Sequence, residues 1–210
     1  MVVYEDKDIV VCIKPKGIIS QEGAAGTKSM VSVLSEKCSC PIYPVHRLDK
    51  DVSGLIVYAK TQKAAAELSR QVADRTMVKK YLAVAEKGDI EPEGVMEDLL
   101  FFDKQRNKSF IAKRERRGVK KAVLRYRLLQ NKNNLSLYSV TLETGRTHQI
   151  RVQFASRKMP LAGDRKYGSR EQCDIGLYST SLSFKHPASG EAMVFTSKPC
   201  EGVFGEFKDI

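Results

Sequence analysis

One short stretch, Val45-His46-Arg47-Leu48-Asp49-Lys50-Asp51-Val52-Ser53-Gly54-Leu55, gathers an arginine, two carboxylates and a lysine. It runs directly into Leu55-Ile56-Val57-Tyr58-Ala59, an apolar run that predicts a buried strand. Charges set against a core strand are costly unless they are paired or used. Taken alone, the residues allow a solvated turn closed by an Arg47/Asp49 ion pair, or a reactive loop holding a carboxylate for work. Two carboxylates so close, Asp49 and Asp51, also admit a glycosidase-like pair.

The elements that must hold this loop follow from the flanking pattern. Val2 to Tyr4 and Ile9 to Lys14 predict two short strands around the acidic turn Glu5 to Asp8, and Pro15-Lys16-Gly17 ends the second. Gln21 to Lys28 reads as a loop. Ser29 caps a helix reaching about Cys38, with Met30, Val33 and Leu34 on one face. Thr61 caps another from Gln62 to about Asp74, with Ala65, Leu68 and Val72 inward and Lys63, Glu67, Arg70 and Gln71 outward.

Strands are predicted at Val78 to Ala85, Val95 to Phe102, Ala122 to Leu129 and Leu135 to Leu142. Two more lie near Gly176 to Phe184 and Glu191 to Thr196, around the turn Pro187 to Gly190. Thr147 to Lys158 is ambiguous by periodicity. Ile150, Val152 and Phe154 alternate as in a strand, yet Ile150, Phe154 and Ala155 also fit a helix. Met159 to Gly168 reads as a loop. No internal repeat, low-complexity tract or convincing linker is evident.

Composition narrows the class. The chain has 210 residues, 42% hydrophobic and 29% charged, which is ordinary for a globular protein with a full core. No apolar run approaches a membrane span, and the N-terminus lacks signal-peptide order, so a cytoplasmic protein is expected. The five cysteines have no Cys-x-x-Cys spacing and the three histidines are scattered, which predicts free thiols and no metal site. There is no Gly-x-Ser-x-Gly elbow, no phosphate loop ending in Gly-Lys-Ser/Thr and no His-Glu-x-x-His. Hydrolase, nucleotide-triphosphatase and zinc-enzyme readings therefore have no support.

The formal charge of +11 points to a polyanion, because phosphates neutralised by Lys and Arg release counterions. The excess concentrates in Lys104, Arg106, Lys108, Lys113, Arg114, Arg116, Arg117, Lys120 and Lys121, interrupted only by Asp103 and Glu115. With Phe110 and Ile111 inside it, this segment predicts a basic β-hairpin or arm that would lie along phosphates without reading sequence.

The string His46-Arg47-Leu48-Asp49-Lys50-Asp51-Val52-Ser53-Gly54-Leu55 resembles the signature motif of the RluA-type pseudouridine synthases. The resemblance recurs in Lys80-Tyr81-Leu82-Ala83-Val84 and in Thr144-Gly145-Arg146-Thr147-His148-Gln149-Ile150-Arg151-Val152. It continues in Gly163-Asp164 and Tyr167-Gly168, in the family's order and across most of the chain. Val52 departs from it, since the family usually has threonine there.

The resemblance implies an α/β (α+β) fold: a single catalytic domain, 1–210, with a bent, mixed, largely antiparallel sheet flanked by helices. It also implies a helix at Thr147 to Lys158. Some members carry a small extra RNA-binding domain ahead of the catalytic one, whereas this chain is expected to begin directly with the catalytic part, with no separate N-terminal RNA-binding domain. The resemblance implies an isomerase, an RNA pseudouridine synthase acting on ribosomal large-subunit RNA or transfer RNA. That reaction has no redox change and no net hydrolysis and so requires no cofactor, and a monomer is expected. Asp49 would be the catalytic carboxylate, attacking or deprotonating the ribose of a flipped-out uridine.

In the same reading Arg151 pairs with Asp49, Ile150 lines the pocket beside the base, Tyr81 stacks on the uracil, and Arg47 fills the gap left in the RNA stack. Lys50, Arg114, Arg116 and Arg117 are candidates for the RNA backbone. Asp51 would belong to the loop scaffold, accepting from nearby backbone amides, and His148 would pack or hydrogen-bond rather than titrate. The rival from another class is an RNA-binding module that keeps the fold and charge without the chemistry.

Overall fold

The computed structural model describes residues 1–23 and 27–207, so part of the expected Gln21 to Lys28 loop lies outside the described residues. The chain forms two compact units: residues 1–79 with 179–197, and residues 80–178 with 198–210. The fold class is the expected one, strands in mixed and largely antiparallel pairing with three α-helices among the described residues. No described helix is long and apolar enough to cross a membrane.

In the first unit β1 (Val2–Glu5) pairs antiparallel with β2 (Ile9–Lys14), and β2 with β4 (Ser53–Ala59) in the register Ile13↔Leu55. The short β3 (Tyr43–Pro44) lies on β4, and β10 (Leu177–Lys185) continues the order beyond β4 and carries β11 (Ala192–Thr196). Leu55 to Ala59 are wholly buried, as an uninterrupted apolar run requires.

Helix α1 (Met30–Cys38) starts at Ser29, whose hydroxyl accepts from the Ser32 amide while Ser32 returns the bond, a capping box built from two serines. It buries Met30, Val31 and Leu34, so Val31 rather than Val33 completes its inner face. Helix α2 (Gln62–Ala73) is capped by Thr61 as expected. Its Leu68 and Ala64 join a core with Ile9, Val11, Leu55, Val57, Leu182 and Phe184. The outward assignment of Gln71 was incorrect. It is buried, and its amide donates to the Lys185 carbonyl at 2.8 Å while its oxygen accepts the Lys185 N–H at 2.8 Å. One polar side chain thus satisfies both main-chain groups of a strand end, which makes its burial affordable.

In the second unit the strand order is β5 (Val78–Glu86), β9 (Leu135–Leu142), β8 (Val119–Lys132), β6 (Glu93–Asp103) and β7 (Lys108–Ala112). The basic segment is a hairpin as expected: β7 pairs with β6 from Leu99↔Ala112 to Asp103↔Lys108, and β8 returns along the other side of β6. Helix α3 (Gln149–Ser156) settles the ambiguous stretch in favour of a helix. Every residue from Gln149 to Phe154 is buried, so neither period leaves a wet face to read.

Candidate active site

In the first unit the motif loop is bound from beneath by a lysine. Lys14 is wholly buried, and its ammonium donates to the carbonyls of Pro15 at 2.8 Å, Ile18 at 2.7 Å and Lys50 at 3.0 Å. The Gly17 amide adds a bond to the Lys50 carbonyl at 2.9 Å, and the Val52 amide closes the turn on the Asp49 carbonyl at 3.1 Å. Burial pushes the Lys14 amine down to about 8, opposed by the Asp51 and Asp49 carboxylates, which favour its charged form. Sequence reading assigned no role to Lys14. The signal was present: it follows Val10 and Cys12 at every second position of β2, on a face that is buried throughout.

Ser20 fixes the next link. Its hydroxyl donates to the Leu48 carbonyl at 2.7 Å and accepts the Leu48 amide at 2.9 Å, while its own carbonyl accepts from the Tyr58 hydroxyl at 2.7 Å. Val52 is buried, so its apolar side chain packs where the resembling family usually places a hydroxyl. Gly54 has φ +116, and a Cβ there would lie 2.3 Å from the Ser179 carbonyl oxygen. Only glycine lets the loop enter β4 this close to a neighbouring backbone.

Around this frame Asp49 is half-buried, and Arg47, Lys50 and Asp51 are exposed. The expectation that Asp51 accepts from backbone amides was incorrect. Among the described residues no such bond forms, and the loop is instead tied through main-chain carbonyls to Lys14. His46 accepts the Val57 amide on Nε2 at 3.2 Å, past the point where β3 ends at Pro44. Burial, with the positive charge of Lys79 adding to it, pushes His46 down to about 3. The ring is therefore neutral at physiological pH and carries its proton on Nδ1, which is buried without a partner.

In the second unit Tyr81 lies on β5, and Ile150 and Arg151 lie on α3, all buried. Asp164 receives Arg151 in a bidentate pair, Nε to Oδ2 at 2.7 Å and Nη2 to Oδ1 at 2.8 Å, with both side chains almost fully buried. Such a fork fixes the plane of the guanidinium as well as its position. The sequence placed Asp164 in a matching block but did not identify it as the partner. His148 holds φ 52 at the start of α3, and its Nδ1 lies 3.0 Å from the Tyr167 hydroxyl, the hydrogen-bonding role expected. Arg146 ties the segment before α3 to β8, its Nε donating to the Lys121 carbonyl at 3.0 Å. Arg114, Arg116 and Arg117 are exposed on the β7–β8 turn, with the Arg116 guanidinium 4.8 Å from the centre of the Phe101 ring.

Among the described residues one group has metal-ligand types together: Asp6, Asp8 and His186, with ligand atoms within 4.8 Å of one another. Its chemistry does not suit a cation. His186 Nδ1 accepts the amides of Ala188 at 3.3 Å and Ser189 at 3.1 Å, which leaves the proton on Nε2 to be donated to Asp6 at 2.8 Å. A metal at Nε2 would displace that proton and leave the ring with none. All five cysteines are free, and burial pushes the Cys12 thiol up to about 12, so it is an inert core residue.

Comparison with known proteins identifies the family. The model of the RNA pseudouridylate synthase family matches residues 8–156, which take in the Lys14 grip, the motif loop, β5 and α3. The chain is 35% identical over 204 residues to the "Uncharacterized RNA pseudouridine synthase YlyB" of Bacillus subtilis (strain 168), covering 91% of this chain and 66% of that protein. It is 34% identical over 218 residues to the "Ribosomal large subunit pseudouridine synthase D" of Haemophilus influenzae, covering 91% of this chain and 65% of that one. The chain thus spans slightly less than two thirds of the length of these relatives. The fold is shared with human RNA pseudouridylate synthase domain containing 1, at a TM-score of 0.77 and 20% identity over 94% of this chain and 82% of that one. With the motif loop on its buried lysine and the forked guanidinium on α3, the chain belongs to the RNA pseudouridylate synthase family.

Proposed function

We propose that this chain isomerises specific uridines in structured RNA to pseudouridine, with Asp49 as the carboxylate that attacks or deprotonates the ribose of an everted nucleotide. The observation that carries the reading is the Asp49 turn, whose Lys50 carbonyl is held by the fully buried Lys14 ammonium at 3.0 Å and by the Gly17 amide at 2.9 Å. A half-buried carboxylate on a turn fixed this firmly is suited to a reacting position, where small displacements are costly in rate. The reaction breaks the bond from ribose C1′ to the base nitrogen, turns the uracil and rejoins it through carbon. It has no redox change and no net hydrolysis, so its balance calls for no cofactor.

Arg151, oriented by Asp164, is the proposed partner of Asp49. Tyr81 is the proposed platform for the loosened uracil and Ile150 the proposed wall beside it. Arg47, exposed next to the turn, is the proposed occupant of the gap in the RNA stack. Lys50 and the hairpin arginines Arg114, Arg116 and Arg117 are proposed to meet phosphates. The names of several relatives favour ribosomal large-subunit RNA as substrate, with transfer RNA the alternative. The working form is proposed to be a cytoplasmic monomer acting as one catalytic domain, and the free thiols fit a reducing compartment.

The test is tritium release from RNA labelled at uracil carbon 5, run on separate ribosomal and transfer RNA pools. Asp49→Asn is expected to abolish release while RNA binding persists. Undiminished release by Asp49→Asn, or liberation of free uracil by the unaltered protein, would overturn the proposal.

A further inference from the structure

The 161–169 turn brings a ring and a carboxylate to the same guanidinium. Asp164 forks onto Arg151, and Tyr167, on the next turn of backbone, lays its ring with the centroid 5.2 Å from the Arg151 guanidinium carbon. Lys108 of the basic hairpin lies over the same ring at 4.9 Å, and its ammonium also donates to the Lys166 carbonyl at 2.5 Å. His148 meets the ring edge-on, with centroids 5.8 Å apart.

The hydroxyl of Tyr167 makes the second half of the link. It accepts the Ser109 amide at 2.8 Å, lies 3.2 Å from the Ser109 carbonyl, and sits 3.0 Å from His148 Nδ1. All three contacts are satisfied together when the hydroxyl donates to the Ser109 carbonyl and His148 donates from Nδ1. Ser109 is a buried residue of β7, and its own hydroxyl donates to the Thr147 carbonyl at 2.6 Å, just ahead of α3. An edge strand of an exposed basic hairpin is therefore tied twice, through Ser109, to the start of the helix that carries Arg151.

We infer that Tyr167 is a positioning residue through which the basic β6–β7–β8 hairpin, when it lies on RNA phosphates, sets the direction of the Arg151 guanidinium. The inference rests on the roles of Asp49 and Arg151 proposed above. It follows that the hairpin contributes to turnover as well as to affinity. A purely electrostatic arm would change binding and its salt dependence and leave the saturated rate alone.

The experiment is a double-mutant cycle on single-turnover tritium release at saturating enzyme, with RNA affinity measured in parallel. One substitution set neutralises the exposed hairpin (Lys113→Ser, Arg114→Ser, Arg117→Ser) and leaves Arg116 on Phe101. The other is Tyr167→Phe, which keeps the ring over Arg151 and deletes the hydroxyl. Each alone is expected to lower the saturated rate about tenfold, a modest share of what misplacing a reacting group costs. Combined, they are expected to lower it no further than Tyr167→Phe alone, while affinity still falls with the hairpin charges. Rates that multiply to about a hundredfold loss would overturn the inference, as would a Tyr167→Phe rate equal to the unaltered protein's.

If Tyr167→Phe does not fold, Lys108→Met, which lifts the hairpin's ammonium off the Tyr167 ring and the Lys166 carbonyl, enters the cycle in its place under the same criteria. Asp49→Asn separates the two levels. An active Asp49→Asn defeats the site assignment itself, whereas an inactive one beside a multiplicative cycle defeats only the coupling.

Discussion

Replacing Lys14 with methionine keeps most of the buried stem and removes the ammonium. Three carbonyls, those of Pro15, Ile18 and Lys50, then lose a charged donor at 2.7 to 3.0 Å in a place water does not reach. A stranded buried acceptor costs about 1–3 kcal/mol, so the Pro15 and Ile18 carbonyls would approach about 4 kcal/mol if both stayed unpaired, while the Lys50 carbonyl keeps the Gly17 amide. Relief from burying a cation, worth several kcal/mol, offsets part of this. A net loss of about 2 kcal/mol is expected, a fall in Tm of about 4–8 °C for a chain of this size. Urea unfolding of both proteins measures it, and tritium release measures whether the Asp49 turn has lost its geometry.

The pH dependence adds a signed check. Because burial holds the folded Lys14 down at about 8 against an ordinary value of 10.5, the unfolded chain binds the extra proton between those two pH values. The stability difference between unaltered protein and Lys14→Met should therefore grow in favour of the former as pH rises from 8 towards 10.5. An unchanged urea midpoint for Lys14→Met at pH 7, with full activity, would refute the reasoning that this lysine holds the turn.

Two further outcomes follow from the same unit. Gly54→Ala places a Cβ 2.3 Å from the Ser179 oxygen at φ +116, and since backbone faces backbone the clash has no cheap release. A loss of about 3 kcal/mol or more is expected in thermal unfolding, with Ser53→Ala as the mild control. His46, pushed down to about 3 by burial and by Lys79, is expected to show no ring titration between pH 5 and 8 by NMR. Its contribution to stability is full above pH 6.5 and is lost as pH falls towards 3, because only the unfolded ring takes up the proton in that window.

Much of the scaffold was legible in the sequence because its strongest patterns are local. The serine and threonine caps at 29 and 61, the apolar run at 55–59 and the hairpin strands at 135–142 each follow from a few adjacent residues. What escaped depends on distant partners. Gln71 looks like a surface residue until Lys185 supplies both of its hydrogen bonds. Lys14 looks like a strand-ending charge until Pro15, Ile18 and Lys50 turn their carbonyls inward. Asp51 looks like a capping carboxylate beside those amides, yet main-chain bonds already close the turn. Helix α3 defeated periodicity because protein surrounds it, and the resemblance rather than the pattern identified it as a helix.

The Lys14 grip falls on main-chain oxygens, which every residue type provides. Positions 18 and 50 can therefore change identity without removing the acceptors of the anchor beneath Asp49, and the Lys50 side chain in particular is exposed. The rim of the turn is thus separable from its foundation, and exchanging those side chains alone leaves the Lys14 anchor in place.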